Sequence, residues 1–179
     1  MHRLFVAVDL PDKVKKSVTD IRCELPGARW VAEEQLHLTL RFIGDADELT
    51  MRAIKTAFKE LTSPAFQLAL CGIGHFPPGK HPRVLWVGMT VSEQLLALQQ
   101  QVELALLEAG IPLEGRKFSP HITIARLKET PARLVIALEE KEKAFASEPF
   151  QVTQFHLYSS TLTGSGAIHT RQASYPLIF

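Results

Sequence analysis

The chain has 179 residues, with 20 Lys plus Arg against 19 Asp plus Glu, and is 46% hydrophobic. That length suits one sizeable core, and the near-zero net charge excludes a broad phosphate-coating surface for long duplex nucleic acid, though not a local basic cleft. Cys23 and Cys71 belong to no CxxC or Cys/His set, no run approaches the ~18 apolar residues of a membrane span, and the first residues pattern as a strand. The expectation is a cytoplasmic protein with reduced thiols and no membrane partner.

Residues 4–10 are nearly all apolar and predict a buried strand. Pro11 opens a helix to about residue 25, with Val14, Val18 and Ile21 on one face, and Pro26-Gly27 ends it. Residues 29–31 are a short extended piece. The run Leu36-His37-Leu38-Thr39-Leu40-Arg41-Phe42-Ile43-Gly44 predicts a strand. Residues 44–47 predict a turn into a helix over about 47–61, its buried face marked by Ala53, Ile54, Ala57, Phe58 and Leu61. Residues 66–73 predict a strand, and 74–82, with three prolines and two glycines, a loop. A strand over 83–91 follows, then a helix capped by Ser92 and ended by Gly110. The loop 115–120 delivers the run Pro120-His121-Ile122-Thr123-Ile124-Ala125-Arg126-Leu127. A helix over about 132–144, a long strand over 150–162, a turn at 163–166 and a last strand over 167–179 complete the chain, the last two strands forming a hairpin.

Two of these runs repeat one pattern. Side chains alternate faces along a strand, so His37 and Thr39 share a face opposite Leu36, Leu38 and Leu40. His121 and Thr123 likewise share a face opposite Ile122 and Ile124. A single His-x-Thr is common in half-buried strands; the second copy has matching surroundings. A helix and then Phe66-Gln67-Leu68 follow the first, and a helix and then Phe150-Gln151-Val152 follow the second, at the same offset. Each half reads strand, helix, His-x-Thr strand, helix, strand, which is an internal duplication. An approximate two-fold axis would bring both histidines to one cleft.

The paired motifs, with the opening Arg3-Leu4-Phe5-Val6-Ala7-Val8-Asp9-Leu10-Pro11, resemble the 2H phosphoesterase superfamily. Within it they look most like the RNA 2′,3′-cyclic phosphodiesterases, once called 2′-5′ RNA ligases. The resemblance covers essentially the whole chain. It implies one domain over residues 1–179, an α+β bilobal duplicated fold whose two antiparallel sheets line a central cleft with helices outside. It also implies metal-independent, cofactor-free hydrolysis of RNA 2′,3′-cyclic phosphate ends to 2′-phosphates, with reversible 2′-5′ ligation. The partners implied are RNA ends, tRNA fragments among them, met by a monomer. Rival readings are another 2H substrate, such as ADP-ribose cyclic phosphate or 2′-5′ oligoadenylate, and a non-catalytic RNA-end-binding module; the intact histidines and threonines favour catalysis.

Such chemistry needs a base, an acid and donors to the phosphoryl oxygens. Imidazole titrates near neutrality, so two histidines can hold opposite protonation states, and Thr39 and Thr123 can donate without adding charge. By resemblance, His37 and His121 are catalytic, with His121 assigned as base on water and His37 as acid to the leaving 3′ oxygen. Arg126 matches a family arginine; strict alternation turns it away from His121, so a β-bulge is required. Arg41 shares parity with His37 and is a further phosphate candidate, set against a surface role. Phe42, Trp30, Phe118 and Tyr158 could each stack on a base, with core burial the expectation for each; Phe118, in the loop before the second motif, is the best stacking candidate. His75 and His81 are expected in solvent and His156 in packing. No metal-ligand spacing occurs.

Overall fold

The computed structural model describes residues 1–178. Its elements are β1 (His2–Asp9), α1 (Asp12–Thr19), β2 (Ala28–Trp30), a 3₁₀ turn (Glu33–Gln35), β3 (His37–Ala46), α2 (Glu48–Lys59), β4 (Phe66–Leu68) and β5 (Leu70–Phe76). There follow β6 (Val84–Met89), α3 (Glu93–Glu108), β7 (Ile122–Leu127), α4 (Ala132–Lys141), β8 (Phe150–Val152), β9 (Gln154–Thr163) and β10 (Gly166–Pro176). Two four-stranded sheets form, ordered β10-β9-β1-β3 and β2-β7-β6-β5, and β4 pairs with β8 in a separate ribbon. Among the described residues all pairings between these strands are antiparallel, as expected for the α+β bilobal class, and one isolated bridge, Pro64 with Ile178, is parallel.

The ribbon marks the two-fold relation. Gln67 pairs with Gln151, flanked by Phe66 with Val152 and Leu68 with Phe150. The equivalent glutamines are each other's partners and the flanking pairs are reciprocal, Phe66 with the counterpart of Leu68 and Leu68 with the counterpart of Phe66, so the pseudo-axis passes between the two glutamines. From there the halves exchange strands: β5 leaves β4 for the second sheet, and β9 leaves β8 for the first. The strands expected over 66–73 and 150–162 are thus each two strands, broken at Ala69 and Thr153. Hydrophobic period cannot show the first break, because Leu68 and Leu70 are both buried and alternation runs straight through it.

Other boundaries differ for local reasons. Gly44 is not a turn: β3 continues to Ala46, and Gly44, at φ +93°, absorbs a bulge opposite Leu4 and Phe5. Asp47 then caps α2 by accepting from the Thr50 amide at 2.7 Å. On that helix Met51, not Ala53, joins Ile54 and Phe58 inside. The first helix stops at Thr19, where tight bonds from Ile21 to Val18 and Arg22 to Thr19 replace the helical ladder; Ile21 and Leu25 stay buried along the irregular chain that follows. The last helix ends at Lys141 rather than 144. The fifth strand runs to Phe76, so the Pro/Gly loop starts only at Pro77. Gly74 belongs to that strand because its partner Trp86 lies over it: a Cβ there would come within 2.3 Å of the indole. The last strand ends at Pro176, and Phe179, inside the strand expected to the end of the chain, lies outside the described residues. Among the described residues no helix is long and apolar enough to cross a membrane.

Candidate active site

The two motif strands belong to different sheets yet approach within 8 Å between Cα atoms. Leu38, Leu40, Ile122 and Ile124 are buried in the core, each 3% exposed or less. His37, Thr39, His121 and Thr123 are half-buried on the opposite face. Hydrocarbon burial holds each strand down and aims its polar pair outward, as strand alternation requires.

Both strands then carry the same irregularity. Val6 pairs with Arg41 and Ala7 with Thr39, leaving Leu40 unopposed; Leu85 pairs with Ala125 and Trp86 with Thr123, leaving Ile124 unopposed. In β7 two consecutive residues, Ile124 and Ala125, are buried, and Arg126 emerges exposed on the side of Thr123. This is the bulge that Arg126 required. The residue in the same position of β3 is Phe42, since Phe5 pairs with Phe42 as Val84 pairs with Arg126. Structural equivalence thus matches Phe5 to Val84.

The histidines are held alike. The Nδ1–H of His37 donates to the Gln35 carbonyl at 2.7 Å, and that of His121 to the Ser119 carbonyl at 2.8 Å. A carbonyl only accepts, so the proton sits on Nδ1. Nε2 is left to face a ligand, as an acceptor in the neutral ring and a donor in the cation. Their walls differ. The His37 ring packs 5.1 Å from Phe5 and 5.3 Å from His169. It borders a pocket of about 340 Å³ lined also by Asp9, Gln35, Tyr158 and Ile168; His121 is not among its lining residues. The His121 ring meets Phe76 edge-on at 5.1 Å.

Burial pushes His37 down to about 4; the Gln35 carbonyl opposes the shift and His169 adds to it. Burial also lowers His169. The floor of the pocket is a polar knot on Asp9. Tyr158 donates to it at 2.5 Å and Arg171 pairs with it. Burial, then that bond to a carboxylate, raises the Tyr158 phenol to about 12, so it remains a donor. His156 is fully buried, bonded to Ser174 at 2.8 Å; its Nε2 lies 3.4 Å from Asp9 without forming a hydrogen bond.

Three expectations need correction. Arg41 is neither an open phosphate contact nor a surface residue. Its side chain is 9% exposed, and it donates to Glu103 of α3 at 2.9 Å and to the Pro112 carbonyl at 2.8 Å. The bulge beside Leu40 takes it out of the face its parity implied, and both terminal guanidinium nitrogens are already bonded, to Glu103 and to Pro112. Phe118 is half-buried against the core, whereas Phe42, expected inside, is 66% exposed. His75 is not free in solvent but bonds Glu139 of α4 at 2.5 Å. The sequence reading missed Arg29, the exposed cross-strand partner of Arg126. Like charges directly opposite repel, so this pair favours an anion beside Thr123. It also missed Phe5 and His169. Their places depend on strand register across the chain, which no local pattern displays. Among the described residues no group of three His, Cys, Asp or Glu side chains gathers as a metal cluster.

Residues 10–163 match the 2′-5′ RNA ligase superfamily. The chain is 35% identical to an RNA 2′,3′-cyclic phosphodiesterase of Thermotoga maritima over 173 residues, covering 93% of this chain and 91% of that protein. It is 32% identical to an RNA 2′,3′-cyclic phosphodiesterase of Archaeoglobus fulgidus, covering 93% and 96%. Among solved structures, TT0787 of Thermus thermophilus superposes with a TM-score of 0.82 at 26% identity, covering 97% of each chain. Escherichia coli LigT complexed with 3′-AMP gives 0.80 at 26%, covering 98% of each.

Proposed function

The chain belongs to the 2′-5′ RNA ligase superfamily, and on that premise we propose that it hydrolyses RNA 2′,3′-cyclic phosphate ends to 2′-phosphates without a metal. The observation that carries this is the matched pair of histidines, each with Nδ1 tied to the carbonyl two residues earlier and Nε2 left for the substrate. With a phosphorus between them, His121 takes a proton from the attacking water. As the bond from phosphorus to O3′ breaks, His37 gives its proton to O3′. Thr39, Thr123 and Arg126, with Arg29 beside it, stabilise the phosphoryl oxygens as charge shifts among them.

The depressed His37 refines its role. Empty, the site holds this ring neutral at pH 7. The negative charge of a bound cyclic phosphate favours the imidazolium, so substrate brings in the proton that His37 later donates. With the 5′-hydroxyl of a second RNA in place of water, the same step is 2′-5′ ligation: His121 takes the hydroxyl proton, its oxygen bonds phosphorus, the bond to O3′ breaks, and His37 protonates O3′. Both halves of the site lie on one chain, so a monomer suffices, acting in the cytoplasm on ends such as those of tRNA fragments.

The test is an oligonucleotide ending in a 2′,3′-cyclic phosphate, incubated with the protein in EDTA. Conversion to the 2′-phosphate supports the reading. Binding without turnover makes the protein a module that only holds RNA ends, and turnover that EDTA abolishes and Mn²⁺ restores overturns the metal-free scheme.

A further inference from the structure

Resting on that RNA-end reading, we infer that Phe42 is the stacking platform for the nucleobase adjoining the reacting nucleotide. Large aromatic side chains are mostly covered in folded proteins, yet Phe42 is 66% exposed. The bulge beside Leu40 presents it to solvent at the position that Arg126 occupies on the other lobe. A residue pseudo-symmetric to a phosphate contact stands within reach of the same substrate.

Its neighbours form a row across the sheet. Phe42 on β3, Phe5 on β1 and Tyr158 on β9 are successive cross-strand partners. Their ring centroids lie 5.9 Å and 5.3 Å apart. Phe5, in the middle, is 3% exposed and serves as the base on which the outer rings rest. Tyr158 lines the pocket beside His37, and Phe42 does not. The pocket, at about 340 Å³, has room for one nucleoside, so the next base along the strand meets the opposite end of the row. Arg3, two residues before Phe5 on the same face of β1 and exposed, supplies a cation for the backbone of that incoming strand. Stacking on an aromatic face tolerates any base, so the platform grips RNA without choosing its sequence.

The experiment compares a mononucleoside 2′,3′-cyclic phosphate with a trinucleotide carrying the same terminus, under initial-rate conditions. Phe42→Ala lowers the ratio of kcat/KM for trinucleotide over mononucleotide roughly tenfold, through KM, whichever base adjoins the terminus. Phe42→Trp keeps the ratio, and Phe42→Leu, apolar but without a π face, loses it as Ala does. Thermal unfolding of each variant, expected to match wild type because the side chain is exposed, separates a binding defect from a folding one. An unchanged ratio in Phe42→Ala, or a ratio retained by Phe42→Leu, overturns the inference while leaving the RNA-end reading intact. A wild type that turns over neither substrate removes the reading itself.

Discussion

His37 and His121 hang from the same backbone arrangement and look onto different surroundings. His37 opens its strand and His121 immediately precedes its own, each is followed by a buried residue, each ties Nδ1 to the carbonyl two residues back, and each strand bulges just past its threonine. Beyond the bulge the copies part: one lobe presents Phe42 and an aromatic-lined pocket with His169, the other Arg126 opposite Arg29. Duplication placed two imidazoles alike, and the residues at equivalent positions give one lobe an exposed aromatic ring and the other an exposed pair of cations.

The largest expected effect tests the shared part. His37→Ala or His121→Ala removes a proton-transfer partner, and turnover falls ~10²–10⁴-fold for either. The measurement is kcat on a cyclic-phosphate oligonucleotide together with thermal unfolding. A histidine whose loss lowers Tm but spares the activity of the folded protein is structural.

Leu38→Ala and Ile122→Ala act on the opposite faces of the same strands. Both residues are 0% exposed, so each change leaves a cavity costing about 2–5 kcal/mol. Denaturant unfolding should register that cost, with kcat of the folded fraction much less affected than in the histidine variants.

Thr39→Ala and Thr123→Ala each remove one neutral donor. Roughly ten- to a hundredfold should be lost in kcat. Equal losses mean that the phosphoryl group sits on the pseudo-axis; a loss confined to one threonine means that it leans toward that lobe.

The smallest effect concerns protons. Burial holds His37 near about 4, against 6.5 for the free side chain. Between those values the unfolded chain binds a proton that the folded chain refuses, so stability falls as pH drops from 6.5 toward 4 and levels below. His156 and His169 are lowered in the same direction by burial and steepen that slope. Tm measured from pH 4 to 7 should show the slope, and a Tm that rises on acidification contradicts it. Calorimetry of phosphate binding at pH 6.5 in buffers of different ionisation enthalpy should reveal uptake of less than one proton, absent in His37→Ala.

Much of this site was legible in the chain. The two motifs and the constant offset to Phe66-Gln67 and Phe150-Gln151 announced the duplication, and the parity of Arg126 demanded a bulge. What stayed hidden depends on contacts far apart in sequence. Arg41 is consumed by Glu103 across helix α3, the breaks at Ala69 and Thr153 come from strand exchange between lobes, and Phe42 is exposed because of an irregularity in pairing with β1. Local patterning shows which faces are apolar; it does not show where hydrogen-bond register slips.

The central claim is that the pseudo-axis sets both free imidazole nitrogens on one phosphorus. A crystal structure of the protein with inorganic phosphate in the cleft measures this directly. The account predicts one phosphate with Nε2 of His37 and Nε2 of His121 each within ~2.6–3.2 Å of its oxygens, and the two nitrogens on the order of 5–8 Å apart. A phosphate held by only one histidine, with the other nitrogen well beyond that separation, would contradict it.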